Sequence, residues 1–242
     1  MKLLTHMVDY AFQTPGFAVA HFAQCMLEDK GDSLEGKRVM LIGAGQRARA
    51  VAEKLLDYGA IPITMTDPSG HVYEPDGITA AKLNTINQIK DERGALLGRY
   101  IISSTSAEFN HPENLFDIPC DICIPCGAMN DIGDTEVNAL ADNGCKFVIE
   151  GGQSIVTPSA RKLLKKRGMM YGPHTMTMTG PALSHAMGKH STDDDLKMEV
   201  ARVYNEVKST SAEFNVRGDL YAGANIAGFL RVANQMMLQG AV

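Results

Sequence analysis

The sequence predicts an α/β fold in which helices cover both faces of a mainly parallel sheet. From residue 37 to residue 172, short apolar runs of strand length alternate with segments in which apolar residues recur at helical spacing. A parallel strand that is covered on both faces is apolar along its whole length, and the run KRVMLIG is of this kind. Beyond Tyr171 the alternation stops and only helical patterns follow. The chain is therefore predicted to be a layered α/β domain with a helical C-terminal segment.

The predicted elements follow one another without an internal repeat, a low-complexity tract or a flexible linker. Thr14 and Pro15 are the predicted start of the first helix, and Gly59 ends the second. In order, the elements are helix 16–28, strand 37–43, helix 46–58, strand 61–66, helix 78–92, strand 99–103, strand 121–125, helix 134–142, strand 146–150, helix 158–167, strand 169–172, and helices within 193–207 and 219–238. We expect one domain over residues 1–242, with a leading helix in 1–30, the sheet and its helices in 31–172, and C-terminal helices in 173–242.

The composition excludes several classes of protein. The 242 residues are 45% hydrophobic and 21% charged, which is typical of a globular domain rather than of a disordered or collagen-like chain. Twenty-three basic and 28 acidic residues give a net charge of −5, which argues against binding to nucleic acid or to an anionic membrane surface. No apolar run reaches the ~20 residues of a membrane span, and five cysteines, an odd number, indicate reduced thiols. We expect a soluble intracellular protein, cytoplasmic or organellar, with the mitochondrial matrix included.

A glycine-rich motif follows the first strong strand and opens the next helix. It reads Gly43-Ala44-Gly45-Gln46-Arg47-Ala48, which is the pattern G-x-G-x-x-A. The first glycine permits a tight turn, the second lets the backbone approach a pyrophosphate, and the small alanine lets the helix pack closely on the strand. The N–H groups at the start of the helix are free to bind the anion. The motif in this context predicts that the chain binds a dinucleotide.

The identity of the dinucleotide stays open. Asp67 lies 22 residues after Gly45, at the end of the second predicted strand, where an acidic residue binds the 2′-hydroxyl group of NAD. Arg47 or Arg49 could instead pair with the 2′-phosphate of NADP, although an arginine on a helix face more often points into solvent. Both NAD and NADP are therefore compatible with the sequence.

Three cysteines have a spacing that also occurs in metal sites, namely Cys120, Cys123 and Cys126. Cys123 lies within a predicted strand, and an extended chain would hold the outer two cysteines about 20 Å apart. Sulfur atoms at that separation cannot share one ion. We therefore predict that these cysteines pack in the core and that they form no metal site.

Four stretches of the sequence, spread between residues 33 and 242, resemble one known family. They are SLEGKRVMLIGAGQRARAVAEKLLDYGA, TDPSGHVYEPDGI, FDIPCDICIPCGAMNDI and YAGANIAGFLRVANQMMLQGAV, of which the last is the most specific. They resemble the C-terminal, nucleotide-binding domain of glutamate dehydrogenase. The resemblance implies a Rossmann-like, doubly wound fold. It also implies an oxidoreductase of amino-acid metabolism that deaminates an amino acid or aminates 2-oxoglutarate with NAD or NADP.

The resemblance also implies which residues would lie near a bound cofactor. They are Gly43, Gly45, Gln46, Arg47, Ala48, Asp67, Ser69, Gly127, Ala128, Asn130, Gln153 and Thr14. The first five would line the pyrophosphate, Gln46 and Arg47 through their backbone, and the next two would lie near the adenosine ribose. The loop 127–130 and Thr14 would lie near the nicotinamide half, and Gln153 stands where the family has an asparagine on the cleft side.

The sequence departs from the family in ways that bear on activity. His185 aligns with a family serine that contacts the substrate carboxylate, and His174 and His190 are expected to line the same cleft as polar residues. The family's N-terminal domain, with its substrate-binding lysines and its acidic proton-transfer residue, has no counterpart here. We therefore assign no catalytic residue, and we predict that this chain alone has no substantial glutamate dehydrogenase activity. The alternative is a non-catalytic nucleotide-binding or structural subunit of a larger assembly.

Loss of a partner domain would expose the apolar surface that it covers in the family. A large exposed apolar patch usually marks a contact with another protein. We therefore expect this chain to associate, with itself or with another protein, through its N-terminal helix, the segment 174–190 or its C-terminal helix.

Overall fold

The computed structural model describes residues 2–180, 182 and 192–240, and of residues 2–12 it describes the backbone only. A seven-stranded sheet runs through this part of the chain in the order β4-β3-β2-β1-β5-β6-β7. The strands are β1 Arg38–Ile42, β2 Ile61–Asp67, β3 Gly70–Tyr73, β4 Glu108–Asn110, β5 Ile122–Pro125, β6 Phe147–Ile149 and β7 Met170–Gly172. The pairings from β2 to β7 are all parallel, whereas β3 pairs antiparallel with both β2 and β4. The predicted mainly parallel sheet is confirmed.

Helices cover both faces of this sheet. The described helices are α1 Lys2–Glu28, α2 Gln46–Asp57, α3 Ala80–Asp91, α4 Asp134–Asp142, α5 Pro158–Lys166, α6 His174–Thr177, α7 Asp193–Glu213 and α8 Leu220–Gln239, with 3-10 helices at Leu97–Ser103 and Pro112–Asp117. Alternate residues of a strand face opposite sides, so Val39 and Leu41 join the core beneath α1, α2, α3 and α7, while Met40 joins the core beneath α4 and α5. This two-faced packing confirms the Rossmann-like fold class. No helix among the described residues is long and apolar enough to cross a membrane.

The first helix begins earlier than the sequence predicts. Thr14 and Pro15 were the predicted start, but α1 begins at Lys2 and carries Pro15 in its interior. A proline inside a helix removes one backbone hydrogen bond. Gly16 lies so close to α2 that a Cβ atom added to it would be 2.6 Å from the Cβ atom of Ala50. The proline therefore sits where α1 is pressed against α2.

The predicted strand 99–103 is wrong, because residues 97–103 form a 3-10 helix. Only one side of this segment is buried: Tyr100 is enclosed, whereas Ile102 is 89% exposed. The hydroxyl group of Tyr100 donates a hydrogen bond of 2.7 Å to the fully buried carboxylate of Glu74, which also accepts bonds from Lys82, Ser104 and Ser106. This network fixes the segment against β3 and α3. Strands β3 and β4, which the sequence analysis did not predict, complete the same edge of the sheet.

Candidate functional site

The loops that follow β1, β5 and β6 lie side by side at the carboxyl ends of these parallel strands, and the space that they border is here termed the crevice. Strand β1 lies between β2 and β5, and the chain leaves it toward β2 through α2 before it returns to the other side as β5. Ligands of doubly wound folds bind at such a switch point, outside the carboxyl ends of the strands. Three loops border the crevice here, namely 43–45 after β1, 126–131 after β5 and 150–154 after β6.

The glycine motif forms the loop between β1 and α2. Gly43 has φ of 115°, a value that side chains other than hydrogen rarely permit, and its N–H donates a 2.8 Å hydrogen bond to Thr66 Oγ1. Gly45 precedes α2, is exposed, and has open space where a Cβ atom would be. Ala48 is buried against the strand. The strand, loop and helix are thus arranged as the motif requires.

The N-terminus of α2 has unused hydrogen-bond donors. No side chain caps this helix, and its first internal bond runs from Arg49 N–H to Gly45 O. Within the described part of the chain, the N–H groups of Gln46, Arg47 and Ala48 therefore have no acceptor. Free N–H groups and the helix dipole together favour an anion at this position.

The side chain of Arg47 lies across the crevice. Its Nη1 atom donates a 3.3 Å hydrogen bond to the carbonyl oxygen of Gly151, at the end of β6, and its Nε atom is buried without an acceptor. Because β5 and β1 separate β6 from β2, this places the guanidinium group on the side of the loop away from Asp67. Arg49 is bound instead by α3, with Nη1 2.9 Å from Asp91 Oδ1.

Asp67 ends β2 and its side chain is only 5% exposed. One carboxylate oxygen accepts bonds from the N–H and hydroxyl groups of Ser69, and the other accepts from Lys90 Nζ at 2.9 Å and Leu97 N–H at 2.7 Å. Burial raises the pKa of this carboxyl group, but the bonds from Lys90, Ser69 and Leu97 outweigh burial and hold the pKa below its ordinary value. Both carboxylate oxygens of Asp67 are therefore already hydrogen-bonded within the fold. Its counter-ion, Lys90, was not predicted from the sequence.

The loop after β5 contains Gly127, Ala128 and Asn130, all of them exposed. Asn130 has φ of 62°, and its N–H donates a 3.0 Å hydrogen bond to the carbonyl oxygen of Ser154 in the neighbouring loop. The carboxylate of Asp131, which the sequence analysis did not single out, accepts a bond from Ala128 N–H. These bonds join the loops 126–131 and 150–154 into one wall of the crevice. Gln153 is exposed in the second of these loops.

A buried carboxylate at the end of β6 holds the loop 150–154 in place through hydrogen bonds. Glu150 accepts hydrogen bonds from the hydroxyl group of Tyr171 at 2.7 Å, from the N–H and ring Nδ1 of His174 at 2.8 Å and 3.0 Å, and from Val156 N–H at 2.8 Å. His174 thus ties α6 to the end of β6. Thr14, expected near the nicotinamide, is fully buried in α1. His185 and His190 lie outside the described residues.

The cysteines lie on or beside the central strands. Cys120 and Cys123 are buried, and Cys126 is half-buried at the crevice, where a Cβ atom added to Gly151 would collide with its sulfur. Burial raises the pKa of the Cys126 thiol to about 12, against a smaller opposite effect of Arg47. Among the described residues, no three His, Cys, Asp or Glu side chains are grouped so that they could hold a metal ion.

Comparison with known proteins gives consistent matches over nearly the whole chain. A family model described as Glutamate/Leucine/Phenylalanine/Valine dehydrogenase matches residues 10–240. The NADP-specific glutamate dehydrogenase of Chlorella sorokiniana is 32% identical over 95% of this chain and 46% of its own length. The NAD(P)-specific glutamate dehydrogenase of Xylanibacter ruminicola is 30% identical over 94% of this chain and 54% of its own length.

The solved structures agree with the sequence matches. Glutamate dehydrogenase 2 of Plasmodium falciparum superposes with a TM-score of 0.89 and 31% identity, over 96% of this chain and 54% of that chain. The present chain thus spans about half the length of these relatives. The matches confirm the resemblance read from the four sequence stretches, and the chain belongs to the glutamate/leucine/phenylalanine/valine dehydrogenase family.

Proposed function

We propose that this chain binds NAD or NADP and acts as the nucleotide-binding domain of a glutamate-dehydrogenase-type oxidoreductase. The observation that carries the proposal is the uncapped N-terminus of α2, which follows a G-x-G-x-x-A loop and opens into the crevice at the β1–β5 switch point. Family membership and relatives named NADP-specific and NAD(P)-specific glutamate dehydrogenases support the same class of cofactor.

The residues present fit a dinucleotide. Open space above Gly45 would admit the pyrophosphate close to the backbone, and the free N–H groups of residues 46–48 would bind it. Ser69 and the corner formed by Asp67 and Lys90 would lie near the adenosine ribose. The exposed loop 127–130 and Gln153 would border the nicotinamide half, whereas Thr14, which is fully buried, would lie behind this surface. When bound, the nicotinamide ring supplies the site that accepts or donates a hydride.

Both dinucleotides stay within the proposal. The charge of Asp67 would favour a free 2′-hydroxyl group, but its oxygens are already occupied by four hydrogen bonds, one of them from the cation Lys90. A carboxylate neutralised in this way repels a 2′-phosphate less than a free one does. The presence of Asp67 therefore does not determine whether the chain prefers NAD or NADP, and titration with both cofactors measures that preference.

We propose further that these 242 residues do not catalyse amino-acid oxidation by themselves. Hydride transfer needs the two reacting carbons about 3–3.5 Å apart, together with a positioned carboxylate clamp and a proton carrier. The relatives that perform this reaction, as their names state, are about twice as long. The contribution of this chain would then be cofactor binding, with the amino-acid site supplied by further polypeptide.

The C-terminal half of α8 offers a surface for such a polypeptide. Its apolar side chains recur at helical spacing and are exposed, with Phe229 and Met237 each 70% accessible. Val232 and Met236 belong to the same stripe, whereas Leu238, which is also exposed, lies on the opposite side of the helix from Phe229. Exposed apolar side chains grouped on one helix face are typical of a protein interface. We propose that this stripe is covered by the polypeptide that corresponds to the other half of the relatives.

Calorimetric titration tests the proposal directly. The purified chain is titrated with NAD, NADP and their reduced forms, and turnover of glutamate and 2-oxoglutarate is assayed on the same sample. We expect saturable binding of at least one dinucleotide and no turnover near ordinary enzyme rates. Absence of binding by all four nucleotides would overturn the nucleotide-binding function, and rapid turnover would overturn the proposed dependence on further polypeptide.

A further inference from the structure

We propose that the side chain of Arg47 binds the pyrophosphate of the dinucleotide. The inference rests on the proposed function, but it assigns a charged side chain where the glycine motif itself requires only backbone groups. The sequence motif places no demand on the residue at position 47. The proposal comes from where the structure puts the guanidinium group and from what surrounds it there.

Arg47 belongs to the first turn of α2, beside the N–H groups that favour an anion. From there its side chain reaches Gly151, whose carbonyl oxygen lies 3.3 Å from Nη1. A Cβ atom added to Gly152 would be in ordinary van der Waals contact with the same Nη1, at 3.6 Å, so the guanidinium group lies against the loop that follows β6. The charge of Arg47 also lowers the pKa of the adjacent Cys126 thiol against the effect of burial. The guanidinium group thus lies inside the crevice, at the switch point.

The guanidinium group is under-satisfied in this position. A guanidinium carries five N–H donors, yet its recorded acceptor is one neutral carbonyl oxygen at 3.3 Å, and Nε is buried with none. Among the described residues no carboxylate lies within ion-pair distance of Arg47. Arg49, two residues along the same helix, also has an unpartnered Nε atom, but Asp91 neutralises its charge at 2.9 Å. Arg47 is therefore a half-buried cation that lacks its anion.

The pyrophosphate is the anion that this position favours. The phosphate of a 2′-phosphorylated ribose would lie at the end of β2 beside Asp67, whereas Arg47 extends toward β6. A phosphate at the start of α2 lies within reach of an arginine in the first turn of the same helix. On binding, the guanidinium group would exchange one long bond to a neutral oxygen for shorter hydrogen bonds to negatively charged phosphate oxygens. Arginine suits this geometry because it can bind two such oxygens at once.

Substitution of Arg47 tests the assignment by binding rather than by activity. The variant Arg47→Met keeps the apolar stem and removes the charge, Arg47→Lys keeps the charge, and Arg49→Met is the control on the same helix. Affinities for NAD, NADP and ADP-ribose are measured by calorimetry, and thermal unfolding of each variant confirms that it is folded. We expect Arg47→Met to weaken all three ligands by roughly 10- to 100-fold, Arg47→Lys to restore part of the loss, and Arg49→Met to leave the affinities within about twofold.

ADP-ribose separates the pyrophosphate from the nicotinamide. If Arg47→Met weakens NAD and NADP but leaves ADP-ribose unchanged, Arg47 acts on the nicotinamide side and the assignment is wrong. Equal or tighter binding by Arg47→Met would mean that the side chain obstructs the crevice, which also overturns it. If the wild-type chain binds none of the three ligands, the proposed function itself fails, and that outcome is distinct from a failure of the Arg47 assignment.

Discussion

The Nζ atom of Lys90 lies 2.9 Å from Oδ2 of Asp67 and links α3 to the end of β2. The two residues are 23 positions apart in the chain, and both side chains are largely buried. Lys90 also donates to the carbonyl oxygen of Ala95 at 3.1 Å. The acidic residue that the glycine motif leads one to expect at this position is therefore part of a structural ion pair.

Replacing Lys90 by Met is expected to destabilise the fold. Asp67 would keep its bonds from Ser69 and Leu97 but lose its buried counter-ion. Removal of one partner from a buried pair leaves an uncompensated charge, and we expect a loss of about 2–4 kcal/mol in the free energy of unfolding, measured by urea denaturation. The control is Lys37→Met, which breaks the more exposed pair with Asp32 and should cost much less, because exposed ion pairs contribute little to stability. Similar losses in both variants would contradict the structural role of the Lys90 pair.

The alternation of strands and helices was predictable because its cause is local. A strand buried on both faces must be apolar throughout, and β1, β5 and β6 read that way directly from the sequence. The segment 99–103 has the same apolar character, yet it forms a 3-10 helix with Ile102 in solvent. Its conformation is set by the bond between Tyr100 and Glu74, a contact across 26 residues that local pattern does not encode.

In the candidate site, too, the local features were predictable from the sequence and the long-range contacts were not. The glycine loop was predictable, since one strand, one turn and one helix are contiguous in the chain. The partners of Asp67 and of Arg47 were not, because they come from α3 and from the end of β6. The spacing of residues in the sequence does not determine toward which side of the glycine loop a long side chain extends. The sequence gives Arg47 and Arg49 the same possible role, but in the structure Arg47 extends toward the end of β6 and Arg49 toward α3.

The two glycines of the loop should respond differently to substitution. Gly45 has φ of −72° and ψ of 174°, values that any residue adopts, and open space at its Cβ position. We expect Gly45→Val to leave the thermal midpoint nearly unchanged and to weaken dinucleotide binding at least about tenfold, because the side chain would occupy the place of the pyrophosphate.

Gly43→Ala is the matched substitution in the same loop. With φ of 115° at this position, a Cβ atom strains the backbone, and we expect a loss of about 1–3 kcal/mol in the free energy of unfolding. Thermal and urea unfolding of both variants, with calorimetry on the folded samples, distinguish the two roles. Strong destabilisation by Gly45→Val would contradict the assignment of Gly45 to the ligand rather than to the fold.

Stability in acid should depend on Asp193, the first residue of α7. Its oxygens lie 2.9 Å from His21 Nε2 and 2.9 Å from Lys54 Nζ. Burial raises the pKa of Asp193, but the hydrogen bonds and charges of His21 and Lys54 outweigh it and bring the pKa to about 2. A carboxyl group with a lowered pKa in the folded state stabilises the protein above its unfolded-state pKa of about 3.9 and loses that contribution as the pH falls toward 2.

Urea denaturation between pH 2 and pH 7 measures this contribution. We expect Asp193→Asn to cost about 1 kcal/mol above pH 5, a figure reduced for the partial solvent exposure of the carboxylate. The difference from the wild-type chain should shrink between pH 4 and pH 2. The neighbouring exposed Asp194, changed to Asn, serves as the matched control and should cost less stability than Asp193→Asn at pH 7. A difference for Asp193→Asn that stays constant down to pH 2 would contradict the lowered pKa.

The apolar stripe of α8 gives a prediction about association. Phe229 and Met237 lie two helical turns apart on the same face and are both largely exposed. If this face is a protein-binding surface, the isolated chain should self-associate through it as the protein concentration rises. Association would remove the apolar side chains from water. We expect Phe229→Ser together with Met237→Ser to shift the chain toward monomer in sedimentation velocity, without a change in thermal midpoint.

Ile102, which is 89% exposed on the other edge of the molecule, provides the control, and Ile102→Ser should leave the association unchanged. Equal association by all three proteins would show that α8 is not the contact surface.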